Sequence, residues 1–570
     1  MAVAVRADDR RSAGAGGNPL TLLLATPVVL ILLLGWAQRW MCDDGFINVR
    51  VVNQILAGNG PVFNGGERVE AQTSPLWVSC MLLCKVCFFW VPVEWIAVLM
   101  GMVMTGAAAA LTIVSARRLF STTQLLPVGI LAYVVLPPAA VHVTTGLETG
   151  LDILWIAGWY LLLLRVADQP TNRAVSAAAF VIGLGPIIRS DLVVMSALAG
   201  VALLLLARPP WRRLAAISAW ALALPASYEL FRMGYYGNLL PNPGYTKEAT
   251  TANWSQGWEY LNDFSAPYSL WVPALLLVVS AIASWAQVPR ARRLSFLTPP
   301  VAGLVYGMFV IRGGGDFMHA RTLLPAAFAL QLPIAAVPVH RTTFALLGMI
   351  ALWAIVPFRA GGPPYNGIGP FGITNERGLY AAERGNPVMV EDYRSSGLVV
   401  FGSGVRKQAE RGPPLVVAFL IGSGAAIQQL DPHGPPFARR GVYGVGAIGM
   451  TSIAAGDDIY IADELGLASP IGSRLELLRR TRPAHEKVLP AAWIFAMFGD
   501  PSAPPPEYVP ADAISAAREA LHCPAIARML QRARAPLTLQ QIGLNVVQSF
   551  TDFHTRIHPD PETELARCRG

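Results

Sequence analysis

The chain has 570 residues, of which 54% are hydrophobic and only 14% charged, with a mean hydropathy of +0.45; an average soluble domain carries roughly 25% charged residues. That composition excludes an ordinary water-soluble globule and predicts a polytopic α-helical membrane protein. The formal charge is +8, but lysine occurs only at Lys85, Lys247, Lys407 and Lys487, and the arginines stand in short clusters between apolar runs, which argues against a nucleic-acid partner.

The first apolar run, Leu20 to Trp36, follows Arg6, Arg10 and Arg11 and lacks a small-residue cleavage site. It reads as a retained helix with the N-terminus on the cytoplasmic side. A first outer loop, about 37–92, then opens with Cys42-Asp43-Asp44-Gly45-Phe46. Two adjacent carboxylates at a membrane surface repel one another and lose solvation, so they suit proton transfer or a divalent cation such as Mg²⁺, Mn²⁺ or Ca²⁺. The plainer alternative is a helix N-cap. Behind them Ile47, Val51 and Ile55 share one helix face while Arg50, Asn53 and Gln54 take others, as in an amphipathic segment lying along the interface. Glu67, Arg68 and Glu70 add charge to the same loop, and the apolar stretch Leu76–Trp90 is expected to lie at the outer interface without crossing. Its Cys80, Cys84 and Cys87 fall on one helix face and serve packing.

Further runs long enough to cross lie near 93–115, 125–142, 149–167, 174–189, 191–207, 214–231, 269–287, 296–311, 322–338 and 342–358, giving about eleven spans at about 20 residues each. Alternation then leaves everything after Phe358 outside, and the arginine clusters at 117–118, 165–173, 208–213, 290–293 and 341 fall inside. The acids collect on the other side, which argues for an outer-face site. Among them Glu148 stands in TTGLET at the outer end of a span. Arg189 and Asp191 interrupt an apolar stretch, equally a site element or a buried ion pair. Asn242 and Lys247 in PNPGYTK suit sugar and phosphate contacts, or a simple turn. Asp316, His319 and Arg321 follow Gly313–Gly315, a bend that presents arginine to a phosphate or lets it snorkel at the start of a span, with His319 equally a donor contact or a packing residue.

Residues 1–358 therefore form a transmembrane catalytic domain, and 359–570, richer in glycine, proline and polar residues, a mixed α/β extracytoplasmic soluble domain. No HExxH, P-loop or GxSxG element appears in that domain, so it is expected to bind acceptor or brace the catalytic loop. Cys523 and Cys568 lie there, where a disulfide is permitted.

The phrases DDGFINVRVVNQILAGNGPVFNGGERVEAQTSPLW, TTGLETGLD, RSD at Arg189–Asp191, YYGNLLPNPGYTK, GGGDFMHARTLLPA and GDDIYIADELGLASP resemble the GT-C superfamily of polyprenyl-phosphate-sugar-dependent glycosyltransferases. Within it the resemblance is closest to the actinobacterial terminal β-(1→2)-arabinofuranosyltransferases of arabinogalactan and lipoarabinomannan. The resemblance implies a GT-C fold, a decaprenyl-phosphoryl-arabinofuranose donor, an arabinan acceptor and catalysis at the outer face by an aspartate of the first outer loop, Asp43 or Asp44. The residues themselves suggest donor or phosphate contacts for Arg189, Lys247, Asp316, His319 and Arg321, and supporting roles for Glu67, Glu70, Glu148 and Asn242. A β-configured donor and a β product imply net retention, which calls either for a second carboxylate, with Asp43 and Asp44, or one of them with Glu148 or Asp316, dividing nucleophile and base roles, or for a front-face route. A transferase of another lipid-linked sugar is the nearest alternative. A transporter or a non-enzymatic assembly protein fits less well, because the charges gather on one face and no inverted repeat is present.

Overall fold

The computed structural model describes residues 19–248, 251–420 and 424–570, so Arg6, Arg10 and Arg11 lie outside the described residues. Among the described residues, seven helices are long and apolar enough to cross a membrane: Leu20–Ala37, Val93–Phe120, Thr149–Asp168, Ser190–Ala207, Trp211–Tyr236, Arg290–Arg312 and Arg341–Ala360. Helices satisfy their own backbone hydrogen bonds, the condition for entering lipid. Two more expected spans are apolar but shorter, Asn172–Ile188 and Trp271–Trp285.

The remaining two expected spans are not continuous helices. Residues 125–142 form Val128–Val134 and Pro137–Val141, and 322–338 form Leu324–Gln331 followed by a 3₁₀ turn. Pro127, Pro137 and Pro333 supply the breaks, since proline lacks the N–H that would continue the ladder. The freed backbone is paired, Leu125 with Pro338 and Leu126 with Val337, and Leu125, Leu126 and Val337 are wholly buried. Irregular backbone at this depth is tolerated where protein covers it.

The helical body is polar from end to end. Asp168, closing Thr149–Asp168, pairs with Arg118 at 2.8 Å and Arg292 at 2.5 Å, whereas Glu148, Arg189, Asp316 and Arg321 gather at the opposite ends of the same helices. Pro75–Cys87 has 13 residues, about 20 Å, short of the hydrocarbon thickness.

The helix Asp43–Leu56 departs from expectation, because most of it is buried between the helical body and the C-terminal residues and does not lie along an interface. The reason is Arg50. Its guanidinium is fully buried and donates to the carbonyls of Phe63 (2.8 Å), Ser452 (2.9 Å), Gly456 (3.2 Å) and Ile459 (2.8 Å). A buried guanidinium needs such a full set of acceptors, and folded protein supplies it where lipid does not.

Beyond the last long helix, a four-stranded sheet runs in the order Gly424–Gln429, Leu415–Leu420, Val442–Val445, Tyr460–Asp463. The first pair is antiparallel and the other two parallel. One core lies under this sheet around Trp493, Phe495 and Ile526. A second joins Val417, Tyr443 and Ile461 to Ile47 and Phe63 of the first loop. Cys523 and Cys568 form a disulfide that ties the helix Pro524–Arg534 to the final helix Pro561–Arg569.

Candidate active site

Cys42 caps the helix that carries both aspartates, its sulfur accepting from the Gly45 N–H. Asp43 turns toward the C-terminal residues, and its Oδ1 and Oδ2 accept from the N–H groups of Met450 (2.7 Å) and Gly449 (3.1 Å), in the first turn of Ile448–Ala455. An anionic group at a helix N-terminus is favourable. A Cβ on Gly449 would stand 1.8 Å from the Asp43 carbonyl oxygen, so glycine permits the contact. Burial still raises the Asp43 carboxyl to about 6, with Asp44 adding to the rise and the two amides opposing it.

Asp44 faces a cavity of about 540 Å³ between the helical body and the C-terminal sheet. Arg321 approaches it, Nη1 to Oδ2 at 3.8 Å. Glu376, 8% exposed, lines the same cavity, and its Oε2 has no hydrogen-bond partner among the described residues. Burial lifts the Glu376 carboxyl well above the usual range, and the charges of Asp44 and Asp43 lift it further against the pull of Arg321 and Arg482. Burial also raises Asp44, opposed by Lys247 and Arg321. The site therefore holds fewer negative charges than carboxyl groups, the usual outcome when acids share a dry space.

A second chamber of about 350 Å³ lies toward the membrane helices and shares Lys247 and Arg321 with the first. Arg189, Arg312 and Arg480 line it, together with Phe309 and Val310 of Arg293–Arg312. Asp316 pairs there with Arg321 (Nε to Oδ2, 2.9 Å) and Lys247 (3.8 Å). Burial alone would raise Asp316, but Arg321, Lys247 and Arg189 hold it below its ordinary value. Arg189 is gripped by Asp191 (2.8 Å), Asp152 (3.4 Å) and Glu148 (3.5 Å).

The structure thus brings Asp43, Asp44, Glu148, Lys247 and Arg321 to one cavity, with Asp316 and Arg189 in the adjoining chamber. His319 lines another cleft, which Glu376 also borders, its Nδ1 2.6 Å from Asp263 Oδ2 and its Nε2 2.9 Å from the Tyr268 hydroxyl. Glu67 binds Arg534 (2.8 Å) and Tyr460 (2.7 Å), and Glu70 binds Arg232 (2.7 Å) and Tyr228 (2.6 Å), both away from the cavity. Asn242 donates to the Ser469 carbonyl at 3.1 Å and braces the two halves of the molecule.

Three cavity residues lie outside the motifs read in the sequence, Glu376, Arg482 and His485, and Glu464, within GDDIYIADELGLASP, joins them there. Burial lowers His485 to about 4, helped by Arg482, so its imidazole is neutral near pH 7. Burial raises Glu464 to about 8, with Asp463 adding to the rise. A glutamate that precedes Arg-Gly in a loop has no periodicity to mark it, and only the fold carries Glu376 to the aspartates.

Each Asp43 oxygen accepts one amide N–H, and among the described residues no three His, Cys, Asp or Glu side chains are grouped to hold a metal ion. Positive charge at the cavity comes from Arg321, Lys247 and Arg482.

Residues 439–567 match the AftB family C-terminal domain. The whole chain is 32% identical to a terminal β-(1→2)-arabinofuranosyltransferase of Corynebacterium glutamicum, over 99% of this chain and 90% of that one. It is 31% identical to the protein of the same name from Mycobacterium tuberculosis, over 96% and 97%. Among solved structures it is similar to ArnT from Cupriavidus metallidurans bound to undecaprenyl phosphate, with a TM-score of 0.48 and 11% identity, over 78% of this chain and 90% of that one.

Proposed function

Because the chain belongs to the terminal β-(1→2)-arabinofuranosyltransferase family, we propose that it moves arabinofuranose from decaprenyl-phosphoryl-arabinofuranose to the non-reducing ends of arabinan, forming terminal β-(1→2) linkages. The observation that carries the reading is the seam between the two chambers. Arg321 and Lys247 line both, so a phosphate held there leaves its sugar beside Asp44 and its lipid chain beside Phe309 and Val310. Phe309 is 38% exposed on the flank of a membrane helix, which suits a prenyl chain lying in the bilayer. The acceptor then enters from the C-terminal sheet, past Phe419 and Glu464. This arrangement suits a GT-C transferase, with the catalytic acid on the first long loop.

Net retention calls for two displacements. In the first, Asp44 attacks the anomeric carbon, the carbon–phosphate oxygen bond breaks, and the electron pair leaves with decaprenyl phosphate against Arg321 and Lys247. In the second, the acceptor 2-hydroxyl attacks the same carbon, its proton passes to Glu376, and the bond to Asp44 breaks. Glu376 suits the base role because it lines the same cavity as Asp44 and its Oε2 has no partner among the described residues. Glu148 and Asp316 are less suited, being engaged by Arg189 and Arg321. No step here is routed through a divalent cation.

We place this end of the molecule on the outer face of the plasma membrane, with the N-terminus cytoplasmic. The disulfide suits an oxidising compartment, and the arginines at the opposite end suit the cytoplasmic side.

The test incubates purified protein in nanodiscs with decaprenyl-phosphoryl-arabinofuranose and a synthetic α-arabinofuranoside, with and without chelator, and reads the linkage by NMR. A β-(1→2) product at an unchanged rate in chelator is expected. An α-linked product would remove the premise of two displacements, and transfer only from another lipid-linked sugar would replace the substrate.

A further inference from the structure

Between Arg534 and Asp552 the chain carries no charged residue, and this stretch contains the helix Leu539–Thr551. Its polarity is inverted. Gln541, Asn545 and Ser549, spaced four apart and so on one face, are buried. Leu544, Val547 and Phe550, on the other side, are 44%, 61% and 59% exposed, and Leu539 at the first turn is 89% exposed. The polar face is satisfied internally: Gln541 Nε2 donates to Asn545 Oδ1 at 2.8 Å, and Asn545 Nδ2 donates to the Gly234 carbonyl at 2.8 Å. A helix facing water presents these two sides the other way round.

The neighbouring helix identifies what covers the apolar side. Gly234 belongs to Trp211–Tyr236, and a Cβ there would stand 3.0 Å from Ile542 Cγ2, so the two helices meet closely. Trp211–Tyr236 is long and apolar enough to span and is almost uncovered by protein; Leu230 and Phe231, a turn before Gly234, are both exposed. Its 26 residues measure about 39 Å against about 30 Å of hydrocarbon. Its last turns, and Leu539–Thr551 beside them, therefore fall at the boundary between headgroups and acyl chains.

We infer that Leu539–Thr551 is an interfacial helix, inserting Leu539, Leu544, Val547 and Phe550 among the lipids that surround Trp211–Tyr236. The C-terminal domain is then held to the bilayer by this helix as well as to the helical body by protein contacts. Insertion to a depth of about 5–10 Å is usual for such helices. The stretch has no charge to attract anionic headgroups, so the occupant is the acyl region, and the attachment is insensitive to salt.

The test places an environment-sensitive fluorophore on Val547→Cys in the full chain, with Cys80, Cys84 and Cys87 replaced by alanine. The labelled protein is reconstituted into phosphatidylcholine vesicles with or without brominated acyl chains. A label on Arg406→Cys, an exposed position on Gly397–Arg411, serves as the water-facing control. The inference predicts blue-shifted emission at 547, quenched severalfold more by brominated lipid than at 406 and protected from aqueous iodide, at low and high salt alike. Quenching of 547 by iodide as strong as at 406 would overturn it in favour of water. Protection from both quenchers would overturn it in favour of a protein cover, including a second copy of the chain.

Discussion

Asp43 and Asp44 are adjacent in the chain, yet one carboxylate spends both oxygens on the amides of Gly449 and Met450 and the other opens onto the cavity. The acid pair was legible because two charged residues at the end of an apolar run are conspicuous. Their division of labour was not, since it depends on a helix some four hundred positions away. Asp43 also makes stability depend on pH. Its folded value of about 6 lies above the ordinary 3.8, so between these limits the folded state binds more protons than the unfolded one, and stability falls as pH rises through the window. The share of this residue is about 3 kcal/mol, and Asp463, raised to about 7, and Glu464, raised to about 8, act in the same direction. Thermal unfolding in detergent is therefore expected to show a falling midpoint from about pH 5 to about pH 8, with a shallower slope in Asp43→Asn. A midpoint that rises over this range would contradict the assignment.

At the scale of elements, the loop that carries Asp316 and Arg321 is stitched to the segment that carries Glu376. The Thr374 N–H donates to the Phe317 carbonyl at 2.6 Å, and the His319 N–H donates to the Thr374 carbonyl at 3.1 Å. His319 fixes this junction through its contacts with Asp263 and Tyr268, and the Tyr365 hydroxyl completes the chain at 2.7 Å from Asp263. His319 is thus a positioning residue. His319→Ala is expected to lower kcat by about tenfold through misplacement of Arg321, with a smaller change in KM and partial rescue in His319→Asn, measured by steady-state transfer. Full activity in the alanine variant would show the junction to be dispensable. The GGGDFMHAR phrase was visible as a glycine bend followed by charge, but the partner segment 374–376 carries no such mark. The two broken spans were hidden for a similar reason: hydropathy measures how apolar a stretch is, and a proline-broken stretch buried by protein scores like a continuous helix.

For the whole molecule, the helix Asp43–Leu56 is not the interfacial amphipathic segment its sequence suggests, because protein buries its polar residues Arg50 and Gln54 as completely as its apolar ones. Arg50 decides between lipid and protein as the cover. Removing it leaves the carbonyls of Phe63, Ser452, Gly456 and Ile459 without their donor, a loss of about 3–5 kcal/mol. Arg50→Ala is expected to expose the C-terminal domain to limited proteolysis at temperatures where the wild type resists, whereas Arg406→Ala, on a solvated pair, should behave as wild type. Equal resistance in Arg50→Ala would mean that the domains are held elsewhere. The most direct test of the central claim compares transfer by Asp44→Asn, Glu376→Gln and Asp43→Asn at a temperature where all three are folded. Asp44→Asn and Glu376→Gln are each expected to lose about 10²–10⁴-fold in kcat while Asp43→Asn keeps substantial turnover. Wild-type turnover in Asp44→Asn, with the loss confined to Asp43→Asn, would contradict that claim.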